Sequence, residues 1–177
     1  MGDYYDMSEY EPLARFIWRE HNIEPPLDVR GLCGELDITL ERSYDLPADV
    51  DGLYMVSQAG CPRIVINAIK PVMRQRFSAA HELAHHILTP SPSPGVECRL
   101  PALPHSKTKE DVKCDQLAAC LLMPAHLVSD EFKRVKDNPT CRVAILANRF
   151  QVSRAAMYRR LCEIGLITQY RLNRYGL

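Results

Sequence analysis

Residues 71–90 constrain this chain more than any other stretch. Pro71, a residue suited to a first helical turn, opens the run VMRQRFSAAHELAHHILT, and Pro90 follows it. The spacing predicts a helix of about 17 residues that stops at Thr89-Pro90. Its centre is His81-Glu82-Leu83-Ala84-His85. Side chains four apart share one helix face, so the two imidazoles can serve one metal ion, and Glu82 stands beside them to take a proton from a water. Ser78, Ala79, Ala80 and Ala84 are small enough for another element to approach closely, while Phe77 and Leu88 predict a stripe facing the core. His86 lies five residues from His81, well round the helix, and reads as a surface or supporting group.

A catalytic zinc takes three protein ligands and keeps one position open, so the pair needs a third. A second helix is expected over 109–122, stopping at Met123-Pro124, and its apolar end LAACLL would pack on the first. Asp111 and Asp115 are four apart on it. We assign Asp111 as the third ligand and Asp115 as the partner that accepts the free N–H of a ligating histidine. Glu110, Cys114, His105 and Cys98 compete for the ligand role, and a thiolate at Cys114 is a strong rival. An acidic first turn would also arise with no metal at all, because carboxylates favour a helix N-terminus. Two imidazoles and a carboxylate suit Zn2+, and Mn2+ or Fe2+ also fit. Such a centre can hydrolyse a peptide bond, with Glu82 passing the proton of the attacking water to the leaving amine.

The rest of the chain sets the frame. With 177 residues, 46% of them hydrophobic, there is enough apolar surface for a folded domain and too much for a disordered chain. No apolar run approaches a bilayer span, and the start MGDYYDMSEYEP is acidic where an export signal would be basic, so a cytoplasmic protein is expected. The seven cysteines (33, 61, 98, 114, 120, 141 and 162) form no CxxC pair, which argues against a disulfide scaffold or a four-thiolate site. Leu13, Phe16, Ile17 and Trp18 predict a first helix, Pro25-Pro26 breaks it, and a short helix is expected around 28–36. Residues 37–41, 52–56 and 63–67 read as three strands of a small antiparallel sheet. The proline-rich segment about 90–108 reads as a functional loop, a wall of a substrate cleft or a lid over it. The fold class is therefore α+β.

Charge divides the chain. Residues 140–177 carry seven arginines and one acid, Glu163, a formal +6 against −6 for residues 1–139. We expect a body over 1–139 and a separate module over 140–177. Within the module, LANRFQVSRAAMYRRL reads as helix, turn, helix, with Ser153 as N-cap and Gly165 as the stop. Arg154, Tyr158 and Arg159 are its expected exposed groups and could contact DNA or a protein partner. A small module without lysine favours docking or structural use over DNA binding.

RFSAAHELAHHIL followed by DVKCDQLAACLLMP resembles the ImmA/IrrE family of metallo-endopeptidases, and IVINAIKPVMRQ and DVRGLCGELDITL agree with that family's layout. The resemblance extends from about residue 11 to about residue 168. It implies a zincin-like α+β fold with a small sheet and an active-site helix, a helix-turn-helix-like C-terminal part, His81 and His85 as zinc ligands, Glu82 as catalytic base and Asp111 as third ligand. The family usually has Glu at the third-ligand position, one methylene longer than Asp111. The resemblance further implies a protein substrate, a helix-turn-helix repressor whose cleavage relieves transcriptional repression. The competing reading is a DNA-binding or partner-binding regulator with a non-catalytic metal site. Tyr54, Arg76, His105 and His126 are equal candidates for stabilising an oxyanion.

Overall fold

A computed structural model of the chain describes residues 9–89, 108–136 and 138–168. In chain order these form α1 (Glu11–Glu20), α2 (Val29–Glu35), β1 (Thr39–Ser43), β2 (Gly52–Val56), β3 (Pro62–Asn67), α3 (Val72–Leu88), α4 (Lys109–Leu122), α5 (Ala125–Arg134), α6 (Pro139–Phe150) and α7 (Arg154–Glu163). The architecture is α+β, as expected, and no described helix is long and apolar enough to cross a membrane. Backbone contacts group residues 28–118 into one compact unit and residues 1–27 with 119–177 into another.

In the first unit the sheet order is β1-β3-β2. β2 pairs antiparallel with β3, but β1 pairs parallel with β3, so the sheet is mixed rather than antiparallel. The correction has a simple cause. Parallel neighbours need a connection of roughly a dozen residues or more, and residues 44–61, which include β2, supply one. β3 is central and buried along Ile64–Asn67, whereas β2, at the edge, alternates and turns Gly52, Tyr54 and Val56 inward. α3 packs on β2 and β3, and its Ser78, Ala79, Ala80, Leu83 and Ala84 are buried. Phe77 and Leu88, expected to face the core, are only half-buried.

The loop ahead of β2 is held at both ends. The buried Asn67 amide donates to the carbonyls of Pro47 (3.0 Å) and Val50 (2.7 Å), and its oxygen accepts from Ile69 N–H (3.1 Å). Asp51 accepts from Arg74 Nε at 2.9 Å and pairs with Lys70 Nζ at 3.1 Å, which ties the loop to the start of α3. Burial acts to raise the Asp51 pKa, but the Arg74 and Lys70 hydrogen bonds outweigh it and hold the carboxyl below its usual range. A depressed carboxyl contributes stability above its unfolded pKa and loses it as pH falls through the folded value. Asp51→Asn is therefore expected to lower stability at pH 7 and to converge on the wild type below pH 3.8, the ordinary value. Urea denaturation across that range checks this, and a pH-independent difference would refute it.

In the second unit, Trp18 Nε1–H donates to Leu121 O at 2.8 Å. Arg160 is almost completely buried; its Nε–H donates to Met123 O at 2.9 Å, and its guanidinium pairs with Glu11 and with Glu163. Glu11 also accepts from the first N–H of α5, Ala125, at 3.0 Å. One ion pair thus joins α1, α5 and α7. α5 itself was not foreseen, since only Val128 of its ten residues is fully buried and its apolar pattern is short.

α6 and α7 are joined by residues 151–153. Gln151 takes the left-handed conformation (φ 54°), Ser153 Oγ caps α7 by accepting from Ala156 N–H at 3.1 Å, and Gly165 (φ 73°) follows the helix end. Arg154 and Arg159 are exposed as expected. Tyr158 is not: it is buried with Met157, Leu161 and Cys162, because these positions form the one apolar stripe of α7. Three of the five described arginines of this stretch contact groups of the same unit, Arg142 over the Phe132 ring, Arg149 on Pro25 O and Arg160 on Glu11. Four described cysteines (33, 114, 120 and 162) are buried as reduced thiols. Arg160→Met is expected to cost about 3–5 kcal/mol of unfolding free energy, because Glu11 would keep its partly buried charge without a partner. Chemical denaturation measures this, and a loss under about 1 kcal/mol would show the pair to be dispensable.

Candidate metal centre

α3 presents His81 and His85 on one face with their Nε2 atoms 3.1 Å apart, ring centroids 4.8 Å apart and planes inclined at 73°. From α4, Asp111 Oδ1 lies 3.5 Å from His85 Nε2. One nitrogen from each imidazole and one Asp111 oxygen all fall within 4.8 Å of one another, so the three could hold a metal ion. His81 Nδ1–H donates to Asp115 Oδ1 at 2.8 Å. Because an ionised carboxylate only accepts, this bond puts the proton on Nδ1 and leaves the Nε2 lone pair for the cluster.

Asp111 is oriented by the start of its own helix. Its Oδ2 accepts from Thr108 N–H (2.9 Å) and from Thr108 Oγ1–H (2.7 Å), and its own N–H donates to Thr108 Oγ1 (3.0 Å). That is a reciprocal capping box, with Asp in place of the usual Glu or Gln. One oxygen is committed to the helix start and the other is left facing the histidines. The acidic first turn and the metal-facing carboxylate, weighed above as alternatives, are thus the same residue. Burial works to raise the Asp111 pKa, but the Thr108 hydrogen bonds and the two histidines hold it below the usual carboxylate range.

The other charges follow from proximity. Burial alone would lower the His81 pKa, yet the Asp115 bond and the acids Glu82, Asp115 and Asp111 raise it. Glu82 stands next to His81, and burial pushes its carboxyl up to about 7, with Asp111 and Asp51 adding while His81 and a hydrogen bond from Tyr54 N–H oppose. A Cβ at Gly52 would sit 2.9 Å from Ile66 Cδ1, 3.3 Å from Glu82 Cγ and 3.4 Å from Glu82 Oε1. His86, one turn beyond Glu82, is hydrogen bonded through Nδ1 to Tyr54 Oη at 2.9 Å, and burial lowers its pKa.

All the residues expected at the centre lie in one unit, and the structure brings His81, Glu82, His85, Asp111 and Asp115 together. Among the rivals, Cys114 is fully buried, burial pushes its thiol up to about 12, and it lies outside the three-residue cluster. Glu110 is half-buried and outside the three-residue cluster. Cys98, His105 and the proline-rich segment 90–107 lie outside the described residues. Of the oxyanion candidates, Tyr54 is bonded to His86, Arg76 is partly buried near Asp28, and His126 belongs to the other unit. Three participants were not foreseen: Thr108, Gly52 and the pairing of Tyr54 with His86. Only Thr108 left a local signal, since Thr108-Lys109-Glu110-Asp111 has capping-box spacing ahead of an apolar run.

The donor set fits a divalent metal. Two imidazole nitrogens and a carboxylate oxygen form a common catalytic zinc ligand set, and Asp115 is the outer partner that such histidines usually have. Residues 33–162 match the family model described as IrrE N-terminal-like domain, Peptidase_M78. A comparison with curated proteins gives no significant match.

Zinc titration against a chromophoric chelator separates the candidate ligands. Asp111→Ala is expected to lose tight binding, Asp115→Ala to weaken it about 10–100-fold, and Cys114→Ala to leave it unchanged. Full affinity in Asp111→Ala with loss in Cys114→Ala would transfer the ligand role to the thiol.

Proposed function

The chain belongs to the peptidase family defined by the IrrE N-terminal-like domain, and from that premise we propose that it is a zinc-dependent endopeptidase. The observation that carries the proposal is the convergence of His81, His85 and Asp111 within 4.8 Å, with Glu82 next to His81 on α3. His81, His85 and Asp111 would hold the ion, and Asp115 would fix the His81 ring. A bound zinc supplies an acidified water and polarises the scissile carbonyl. Glu82 accepts the proton of the attacking water at its carboxylate and delivers it to the leaving amine.

The family resemblance supports a protein substrate of the helix-turn-helix repressor class, whose cleavage would relieve repression. Within the same proposal, residues 1–139 form the peptidase body and 140–177 a basic module. Exposed Arg154 and Arg159 would meet the partner protein, Tyr158 would serve only the packing of α7, and DNA contact is secondary. The protein would act in the cytoplasm.

Incubating the zinc-loaded chain with the repressor encoded beside its gene, and reading the products by mass spectrometry, tests this. Glu82→Gln is expected to keep stoichiometric zinc and to lose about 10²–10⁴ in cleavage rate, and a chelator should abolish cleavage by the wild type. Undiminished cleavage by Glu82→Gln would overturn the mechanism. Salt-sensitive binding of duplex DNA by a chain that cuts no protein would favour the regulator reading instead.

A further inference from the structure

We propose that Tyr54 and His86 are positioning residues that hold the Glu82 carboxylate in its working place from the β2 side. The inference rests on Glu82 as the base, and it concerns how that carboxylate is aimed. Three contacts carry it. Tyr54 N–H donates to the Glu82 carboxylate. The phenol oxygen of the same residue bonds His86 Nδ1 at 2.9 Å. Gly52, two residues earlier on the same face of β2, leaves room beside Ile66 and Glu82: a Cβ there would sit 2.9 Å from Ile66 Cδ1 and 3.3 Å from Glu82 Cγ.

Glu82 and His86 are four apart, so they share the face of α3 turned to β2. Tyr54 therefore grips α3 at two points one turn apart, with its amide on Glu82 and its hydroxyl on His86. This matters because β2 is the sheet's edge. β3 fixes one side of β2, in the register Tyr54 with Ile64, but its outward amides have no neighbouring strand among the described residues. α3 packs on β2, and beside Glu82 the Tyr54–His86 bond adds a polar link between them. If that bond is lost, β2 can shift against α3, and the amide that aims Glu82 moves with it. A misplacement of about 1 Å at a reacting group can cost up to about 100-fold in rate.

The test uses the full chain, zinc-loaded for kinetics and metal-free for spectroscopy, with Tyr54→Phe, His86→Ala, His86→Asn and the double variant Tyr54→Phe/His86→Ala. Tyr54→Phe keeps the ring in the core. Tyr54→Phe and His86→Ala are each expected to lower kcat about tenfold with KM within about twofold and zinc content unchanged. The double variant should lose no more than either single one, because both remove the same bond. His86→Asn, which returns a polar atom near the position of Nδ1, should recover most of kcat. In the metal-free protein the Tyr54 amide proton should move upfield in Glu82→Gln, and in the same direction in Tyr54→Phe and His86→Ala. Multiplicative losses in the double variant, or a Tyr54 amide that shifts in Glu82→Gln but stays put in the two single variants, would overturn the proposal. If the wild type cleaves nothing, the endopeptidase reading fails by itself, and the amide shifts still decide whether this pair positions Glu82.

Discussion

The hydrogen bond from His81 Nδ1 to Asp115 sets an orientation on which the rest of the centre depends. It joins α3 to α4 and chooses the tautomer that leaves Nε2 available. Reversing it would break this bond to the half-buried Asp115 and point a hydrogen into the cluster. The surrounding packing makes the bond possible. Ala79, Ala80 and Ala84 present almost no side chain, so α3 can sit close to its sheet while its histidines face α4. Larger residues at those positions would need space that the interior does not have.

The second unit uses charge differently. Its +6 tail has the look of a nucleic-acid surface in the sequence, yet Arg142, Arg149 and Arg160 are engaged internally, on a ring, a carbonyl and a carboxylate. Arg160 is desolvated enough that its pKa falls to about 10, still charged at neutral pH and bound to Glu11 at the head of α1. Arg149, Arg154 and Arg159 keep their charge at the surface.

Local periodicity explains what was readable in advance. The helix around HELAH, the placement of Asp111 and Asp115, the caps at Ser153 and Gly165 and the helix pair 139–163 all depend on residues within one or two turns. The features that escaped depend on partners far along the chain. Nothing near 39–43 reveals that β1 will run parallel to β3, since that pairing is settled by the path of the intervening segment. Tyr158 reads as an exposed residue among arginines until the packed stripe of α7 is seen to include it. Tyr54 and His86 are 32 residues apart and meet only because β2 lies on α3. Cys114 has the right element for a ligand, and only the tertiary structure shows it buried and outside the cluster of His81, His85 and Asp111.

The capping box at Thr108 gives Asp111 two duties, one per oxygen. If Asp111 holds the metal as proposed, helix nucleation and cofactor chemistry share a single carboxyl group, and an evolving sequence could not tune them separately. Replacing it with an amide would keep an acceptor for the cap and forfeit the negative charge facing the histidines; replacing it with the longer acid would lengthen the reach and disturb the turn that starts the helix. The site's chemistry and the secondary structure beneath it are inherited together.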